Sequence, residues 1–489
     1  MSNEALFAAV DLGSNSFRVE LGRVVGDRII TQSYWKETIR LAAGFDQDGS
    51  LTPDTIERAI ACLERFKDRI GGLPSSRVRA VGTQAFRTAK NADFFLDKAQ
   101  KALGYPIDIL SGHEEARLVF KGSVNTLPPS SAKRLIVDIG GASTEFVIGQ
   151  HLEPSCYESF HVGCVNTSIR FFKDGELSEE RFNKAVIACA AEFEEVATQF
   201  DQSHFEEAYG SAGTFGAVAE LCRHLWNEDF VSLHRLKSIK KQLLKYRNVN
   251  DINFPGLKAD RKEVIAGGLA VLMAVFMTLG IDKMRVAPGA LRAGLLYDLL
   301  GRTSNLDSRD TSVARLCQST QISEQQSQLV TALTDTLSER LAILSQEDRK
   351  LLHWAARLHE VGMLISTSRY HRHGYYIVIN ADMPGFSSTE QSTMAHWILG
   401  QRGGLQKLNG FLDNENHRRA LLALRLAVIL AHSRQPIVFP NMDIVQEKKL
   451  TRISLDASWL SAHPLTAYLL AEEVNYWLST PYRLVIEER

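Results

Sequence analysis

The chain has 489 residues, enough for about three or four domains of ordinary size. Lys and Arg total 56 and Asp and Glu total 57, so the formal net charge is −1, which excludes a histone-like basic protein and an acidic solvating tail. The 45% of hydrophobic and 23% of charged residues are typical of a globular protein.

An internal similarity is the first feature met along the chain. Residues 8–24 and 135–151 each run from an apolar strand into Asp-x-Gly, then a short turn of small, hydroxyl-bearing residues, then an alternating strand. A repeat this long indicates two related domains rather than a solenoid. Helices starting at Pro53 and after Asn91, and short strands between helices, complete an α/β pattern with a mixed or parallel sheet.

Residues 264–281 are uncharged over a length close to a membrane span, but glycines interrupt them and Glu263 and Asp282 bound them. We therefore expect a buried helix packed on a sheet and no stable membrane insertion. The N-terminus lacks the pattern of a signal peptide, and the six cysteines include no C-x-x-C pair. Both observations predict a cytoplasmic protein with reduced thiols.

The pattern changes near residue 301, where helical periods replace strand signals. Ser345 is expected to cap a helix that carries His353 and His359, and the last forty or so residues mix strands with a helix. We predict domains at 1–125, 126–301, 310–440 (mainly helical) and 441–489 (small, α+β).

The repeated turns indicate a chemistry. Facing each other across a cleft, they would supply backbone N–H donors from both sides, together with the carboxylates of Asp11, Asp138 and Glu145. Phosphoryl transfer needs such donors, and carboxylates that hold Mg²⁺ or Mn²⁺. A third turn at 210–214 either binds another phosphate or is a plain strand-to-helix turn. The candidate phosphate-binding residues of the three turns are Gly13, Ser14, Asn15, Ser16, Gly140, Gly141, Ala142, Ser143, Gly210, Ser211, Gly213 and Thr214.

Together with RAVGTQAFR (79–87), GHEEAR (112–117), GCVN (163–166) and HRHGYYIVINADMPGF (371–386), these turns resemble the exopolyphosphatase / guanosine-pentaphosphate phosphohydrolase family. The resemblance covers nearly the whole chain. It implies duplicated actin-like (ribonuclease H-like) phosphotransferase domains, a mainly helical domain distantly related to HD phosphohydrolases, a small α+β piece at the end, and a homodimer.

The resemblance also implies roles for individual residues. Glu115 matches the catalytic base, Asp138 and Glu145 match the surroundings of a divalent metal, and Arg87 matches a phosphate-binding arginine. Each role suits the side chain, since a carboxylate can deprotonate water and a guanidinium binds phosphate oxygens with two donors. Without the resemblance, Glu115 would be read as part of a solvated helix start and Arg87 as a surface charge.

In the C-terminal half, His359-Glu360 stands where HD domains have His-Asp, and a metal site there is one interpretation. The favoured interpretation is a helical scaffold whose Arg369, His371, Arg372 and His373 line a channel for a polyanion. Scattered, solvated charges are the alternative.

These expectations favour an exopolyphosphatase that releases orthophosphate from inorganic polyphosphate, with nucleic acid excluded as a partner. The alternative is hydrolysis of guanosine pentaphosphate (pppGpp) to ppGpp. Ala142 and SWLSAHPL (458–465) favour the alternative, whereas residues 371–386 favour polyphosphate. An actin-like kinase is disfavoured by the GHEEAR segment, and a non-catalytic sensor by the intact carboxylates Glu115, Asp138 and Glu145.

Overall fold

The structure is a computed structural model that describes residues 5–25, 28–303, 307–341, 344–408 and 410–489. The chain forms two compact units, Met1–Asp307 and Ser308–Arg489. The finer domain boundaries expected from the sequence stay predictions.

Unit 1 contains two sheets of the same design. The strands of the first are β1 (Leu6–Leu12), β2 (Ser16–Val25), β3 (Arg28–Thr38), β4 (Val78–Gly82) and β5 (Ile107–Ile109). The strands of the second are β6 (Arg134–Ile139), β7 (Thr144–Gln150), β8 (Glu153–Phe160), β9 (Glu207–Ser211), β10 (Phe230–Ser232) and β11 (Lys283–Val286). Their orders are β3-β2-β1-β4-β5 and β10-β11-β9-β6-β7-β8.

Each sheet begins with an antiparallel meander, β1–β2–β3 or β6–β7–β8, and the next strand pairs in parallel with the first strand of that meander. The register places Asp11 opposite Arg18 in one hairpin and Asp138 opposite Glu145 in the other. The sequence repeat therefore corresponds to a duplicated hairpin, as predicted, and the two Asp residues occupy the same place in it.

Helices cover these sheets. The helices of unit 1 are α1 (Pro53–Ile70), α2 (Gln84–Thr88), α3 (Ala92–Leu103), α4 (Gly112–Thr126), α5 (Cys164–Phe172), α6 (Glu179–Glu194), α7 (Ala197–Phe200), α8 (Ala212–Trp226), α9 (Leu233–Leu243), α10 (Ile265–Leu279) and α11 (Leu291–Thr303). Helix α1 begins at Pro53, as predicted, because Thr52 is extended and proline suits the first helical position. Asn91 precedes α3, but its side chain accepts the Leu51 N–H instead of capping that helix.

The apolar stretch near residue 270 is a buried helix, as predicted. The segment Ala259–Leu279 is long and apolar enough to cross a membrane by length and composition, and 72% of its most apolar window is buried inside the protein. Helix α10 packs on α5, where a Cβ added to Gly267 would lie 2.4 Å from the Ser168 hydroxyl. Glycine at 267 therefore permits this close helix contact.

Helices α4 and α11 cross at glycines. A Cβ on Gly122 would lie 2.1 Å from the Ala290 carbonyl oxygen, and one on Gly294 would lie 1.9 Å from that of Leu118. A buried ion-pair network joins the same helices, because Asp298 of α11 accepts from Arg117 of α4 at 2.7 Å. Arg117 in turn holds Glu114 through two hydrogen bonds of 2.7 and 2.8 Å. These contacts fix the first turn of α4, which carries Glu115.

Unit 2 is mainly helical and ends in a small sheet. Its helices are α12 (Ser308–Ser319), α13 (Glu324–Leu341), α14 (Gln346–Arg357), α15 (Tyr370–Asn380), α16 (Ser388–Gly400), α17 (Glu415–Leu430), α18 (Ala457–Ala462) and α19 (Pro464–Trp477). The strands β12 (Met442–Gln446), β13 (Leu450–Leu455) and β14 (Arg483–Glu488) form the sheet in that order. The core is rich in leucine and includes Trp354 and Trp397.

Ser345 caps α14 by accepting the Asp348 N–H at 3.0 Å, as predicted. The expectation that this helix also carries His359 is wrong, because Leu358 leaves the helical backbone and α14 ends at Arg357.

Candidate active site

The two Asp-x-Gly turns lie against each other in unit 1. A Cβ on Gly141 would lie 3.3 Å from the backbone nitrogen of Asn15 and 3.4 Å from the Ser14 Cβ. Ser14 and Asp11 are buried at the end of the first hairpin, and Asp138 is buried at the end of the second. The turns therefore present their backbones and carboxylates to one common space, as the sequence predicted.

The start of α5 holds the second turn in place. The N–H of Cys164 donates to the Gly140 carbonyl at 3.0 Å, and that of Val165 donates to the Gly141 carbonyl at 2.8 Å. Gly163 makes this approach possible, since a Cβ there would lie 2.4 Å from the Gly141 carbonyl oxygen. The GCVN segment is thus a support of the turn.

The third turn joins a strand directly to a helix, one of the two alternatives that the sequence left open, and its phosphate-binding role stays a prediction. Gly210 and Ser211 end β9, and α8 starts directly at Ala212, whose φ is 60°. Gly213 lines the cavity described below, whereas Gly210, Ser211 and Thr214 do not. The Ser211 hydroxyl instead donates to the Asp138 carboxylate at 2.7 Å. Ser211 therefore orients an acid of the site.

Glu115 lies in the first turn of α4, which Ser111 caps by accepting the Glu114 N–H at 3.1 Å. Its side chain is buried, lines the cavity and accepts a hydrogen bond from Arg87 Nη1 at 3.2 Å. Burial raises the pKa of Glu115 to about 7 despite Arg87, and the charges of Asp11 and Asp138 add to the rise. A carboxylate with this pKa can accept a proton near neutral pH.

Arg87, for which the resemblance implies phosphate binding, lies beside Glu115, and its phosphate-binding role stays a prediction. It does not line the cavity, and its guanidinium donates to Gln84 Oε1 at 2.7 and 2.9 Å and to the Leu110 carbonyl at 2.6 Å. Together with the contact to Glu115, these bonds use four of its five N–H groups within the protein. In this structure Arg87 positions Glu115.

The other acids are also deeply buried. Burial raises the pKa of Asp138 to about 6, although the Ser211 hydroxyl and Arg18 favour its charged form. Burial, together with the charges of Glu115 and Asp138, raises the pKa of Glu145 well above its ordinary value. The Ser159 hydroxyl donates to Glu145 at 3.0 Å. These carboxylates repel one another, so their ionised forms require positive charge in the space between them.

A divalent cation fits this arrangement. Within the residues that the structure describes, no group of three or more His, Cys, Asp or Glu side chains could hold a metal by itself. Mg²⁺ does not require such a cage, because it is bound through one or two carboxylates, phosphate oxygens and water. The chemistry of Asp11, Asp138 and Glu145 therefore fits Mg²⁺ shared with a phosphorylated ligand.

These groups line a cavity of about 780 Å³. Of the residues predicted from the sequence, it is lined by Asp11, Gly13, Ser14, Asn15, Ser16, Glu115, Asp138, Gly140, Gly141, Ala142, Ser143, Glu145 and Gly213. Cationic side chains that the sequence analysis did not single out also line it: Arg18, Lys36, Lys258, Arg261 and Arg292. Two of them could have been found from the sequence. Side chains alternate between the two faces of a strand, and Arg18 and Lys36 lie in the same cross-strand row as Asp11.

The basic residues predicted to form a polyanion channel lie in unit 2. Arg369 precedes α15 with a φ of 55°, and His371, Arg372 and His373 occupy successive positions of its first turn. Successive helical residues point about 100° apart, so the three side chains spread around the helix rather than forming one row. Their role in a channel stays a prediction.

His359 and Glu360, the other candidate metal site, are buried in unit 2. His359 Nδ1 bonds the Ala356 carbonyl at 2.7 Å, and Glu360 pairs with Arg434. Burial lowers the pKa of His359 to about 4, so the imidazole is neutral.

Comparison with known proteins identifies the family. Residues 26–303 match the Ppx/GppA phosphatase family and residues 308–474 match its domain III. Two relatives are named guanosine-5'-triphosphate,3'-diphosphate pyrophosphatase. The one from Pseudoalteromonas translucida is 34% identical over 98% of this chain and 98% of its own length. The one from Photobacterium profundum is 35% identical over 99% of this chain and 98% of its own length.

Solved structures agree with the fold over part of the chain. An exopolyphosphatase from Cytophaga hutchinsonii and a Ppx/GppA member from Aquifex aeolicus match with TM-scores of 0.55 and 0.52. Each is 23% identical and covers 61% of this chain and 98% of its own. The expected actin-like α/β fold with a helical C-terminal region is confirmed.

The full-length relatives correct one expectation. The prediction that inorganic polyphosphate is the main substrate is wrong, because the relatives that match along the whole chain carry the name of the pppGpp enzyme. That prediction rested on residues 371–386, which belong to unit 2. Taken together, the matches show that the chain belongs to the Ppx/GppA phosphatase family, hydrolases of phosphoanhydride bonds.

Proposed function

We propose that this protein hydrolyses the terminal phosphoanhydride of the 5'-triphosphate of pppGpp. Water attacks the γ-phosphorus, the bond from that phosphorus to the bridging oxygen breaks, and orthophosphate and ppGpp leave. The substrate assignment is supported by the names of the full-length relatives, which are 34–35% identical to this chain. The reaction type is supported by the buried carboxylates and backbone turns that share the cavity of unit 1.

Glu115 is the general base in this proposal. Its carboxylate takes a proton from the attacking water, for which a pKa of about 7 is well suited. The hydrogen bond from Arg87 at 3.2 Å fixes the orientation of the carboxylate. Burial within the first turn of α4 keeps the base away from bulk solvent.

The turns and the cations receive the phosphate chain. Backbone N–H groups of the turns at 13–16 and 140–143 donate to the oxygens of the transferring phosphoryl group, where negative charge must be stabilised. Arg18, Lys36, Lys258, Arg261 and Arg292 line the same cavity and offset the charge of the remaining phosphates. One or two of the carboxylates of Asp11, Asp138 and Glu145 would hold Mg²⁺, which would supply further charge neutralisation at the phosphates.

The test is orthophosphate release with Mg²⁺ from pppGpp and from long-chain polyphosphate, at equal concentrations of phosphate ends. The proposal predicts a kcat/KM at least about tenfold higher for pppGpp, with ppGpp as the nucleotide product. A variant Glu115→Gln, prepared in parallel, controls for contaminating phosphatase. Faster release from polyphosphate, or equal release by the variant, would overturn the proposal.

A further inference from the structure

The pairing register sorts side chains on one face of the first sheet into two rows. Asp11 of β1 lies opposite Arg18 of β2, which lies opposite Lys36 of β3. Two residues along each strand, Glu20 of β2 lies opposite Tyr34 of β3. Because side chains alternate in a strand, both rows project from the same face of the sheet. On this face, β1 thus presents the carboxylate of Asp11, whereas β3 presents the ammonium of Lys36 and the phenol of Tyr34.

The second row ends at Tyr34 on β3, which is an edge strand of this sheet among the residues that the structure describes. Neighbouring strands lie about 4.8 Å apart, so β3 is about 10 Å from the strand that carries Asp11. Tyr34 lines the cavity and is 46% exposed, which is high for a large aromatic residue in a site. The second row therefore places an open aromatic ring at the outer edge of the sheet, beside the row that starts at Asp11.

One side of this ring is braced. The guanidinium carbon of Arg292 lies 4.9 Å from the ring centroid, and Arg292 Nε also donates to Glu20 at 3.1 Å. Arg292 thereby contacts both Glu20 and Tyr34, and the hydrogen bond to Glu20 holds the guanidinium against the ring. In the first row, Lys36 is anchored in the same way by Asp260 at 2.7 Å. An aromatic ring held on one side and exposed elsewhere is a stacking surface.

We propose that Tyr34 forms a nucleobase-binding subsite, on which a purine stacks while the phosphate chain extends toward Asp11 and Glu115. This inference rests on the proposed function, since it assigns the nucleoside end of the same substrate. Stacking tolerates any base, because every base has a π-face. Tyr34 accordingly contributes affinity for a nucleotide over a bare phosphate chain, and other contacts select guanine.

A competing role for Tyr34 is a hydrogen bond from its hydroxyl to a phosphate. Two substitutions separate the roles. Tyr34→Phe keeps the ring and removes the hydroxyl, whereas Tyr34→Leu keeps apolar bulk and removes the aromatic face. Tyr468, which is 61% exposed on α19 of unit 2, offers the matched control Tyr468→Leu.

The experiment is calorimetric titration with GTP and with inorganic tripolyphosphate as probes. For Tyr34→Leu we expect the Kd of GTP to rise about tenfold, in the range that base–aromatic stacking gives, with the Kd of tripolyphosphate changed less than about twofold. Tyr34→Phe and Tyr468→Leu should bind both probes as the wild type does. Equal losses for both probes, equal losses for Phe and Leu at position 34, or no change for GTP would each overturn the subsite.

Steady-state kinetics provides a second readout. If the stack is the same in the ground state and the transition state, Tyr34→Leu raises the KM for pppGpp about tenfold and leaves kcat within about twofold. A fall in kcat instead would contradict a base-binding role. Failure of the proposed function would give a different result. The wild type itself would not release phosphate from pppGpp, but its preference for GTP over tripolyphosphate in binding would still depend on Tyr34.

Discussion

Replacing Glu115 by Gln is the substitution that most sharply separates catalysis from folding in this protein. Gln has the same shape, and its amide oxygen can still accept the Arg87 hydrogen bond, but it cannot take a proton from water. General base catalysis contributes about 10²–10⁴-fold, which corresponds to about 3–5 kcal/mol. We therefore expect kcat for pppGpp to fall by at least about a hundredfold, with the Kd of the nucleotide nearly unchanged.

The same substitution should make the protein more stable at alkaline pH. A rise in the pKa of Glu115 from 4.5 to about 7 means that the folded state binds this proton more tightly than the unfolded state. Stability from this group is then present at low pH and is lost as pH rises from about 4.5 to about 7. At pH 8 the buried charge costs about 3 kcal/mol in the metal-free protein, and Gln removes that cost.

Denaturant unfolding at pH 5 and pH 8 in EDTA measures this effect. From pH 5 to pH 8, the free energy of unfolding of Glu115→Gln should rise relative to that of the wild type. Glu114→Gln is the matched control, since Glu114 is also buried but is held by two hydrogen bonds from Arg117. It should lose a few kcal/mol of stability, because it removes the charge that pairs with the buried Arg117. Retention of more than a tenth of kcat by Glu115→Gln, or lower stability than the wild type at pH 8, would refute the reasoning.

Three further outcomes are expected. Gly294→Ala should destabilise unit 1 by at least about 2 kcal/mol in thermal melts, because the added Cβ would overlap the Leu118 carbonyl of α4. The control Gly216→Ala in α8 should be neutral or slightly stabilising, because a Cβ there would have no atom within 4 Å. Arg425→Met should cost unit 2 about 3–5 kcal/mol in denaturant unfolding, since it leaves the buried Glu473 charge without its partner; an unchanged midpoint would show that the pair is dispensable. The kcat/KM for pppGpp should rise with pH through about 7 at low Mg²⁺, because only ionised Glu115 accepts a proton, and more Mg²⁺ should move this rise to lower pH; a pH-independent profile would contradict the assignment.

The parts of the site that sequence predicted are local in the chain. Asp11 and Asp138 stand at the same place in a repeated hairpin, and a repeat can be seen in one sequence without knowing its folding. Glu115 lies in the short motif GHEEAR at a helix start, and the resemblance of that motif to a family implied its role. The duplicated sheets follow from the same repeat.

The remaining parts depend on tertiary contacts. Lys258, Arg261 and Arg292 meet Arg18 in one cavity although more than two hundred residues separate them in the chain. Arg87 carries a side chain that suits phosphate, but its bonds to the Leu110 carbonyl and to Glu115, which are distant in the chain, could be known only from the fold. The substrate was misjudged for a related reason. Polyphosphate and pppGpp share the same terminal chemistry, so the hydrolytic motifs do not distinguish them.

The central claim is that water attacks the terminal phosphorus of the 5'-triphosphate of pppGpp. Turnover in ¹⁸O-labelled water tests it directly, with the products analysed by mass spectrometry. The account predicts one ¹⁸O atom in each orthophosphate released and none in the nucleotide, which is ppGpp. Label in the nucleotide, or release of pyrophosphate in place of orthophosphate, would show attack at another phosphorus and would contradict the account.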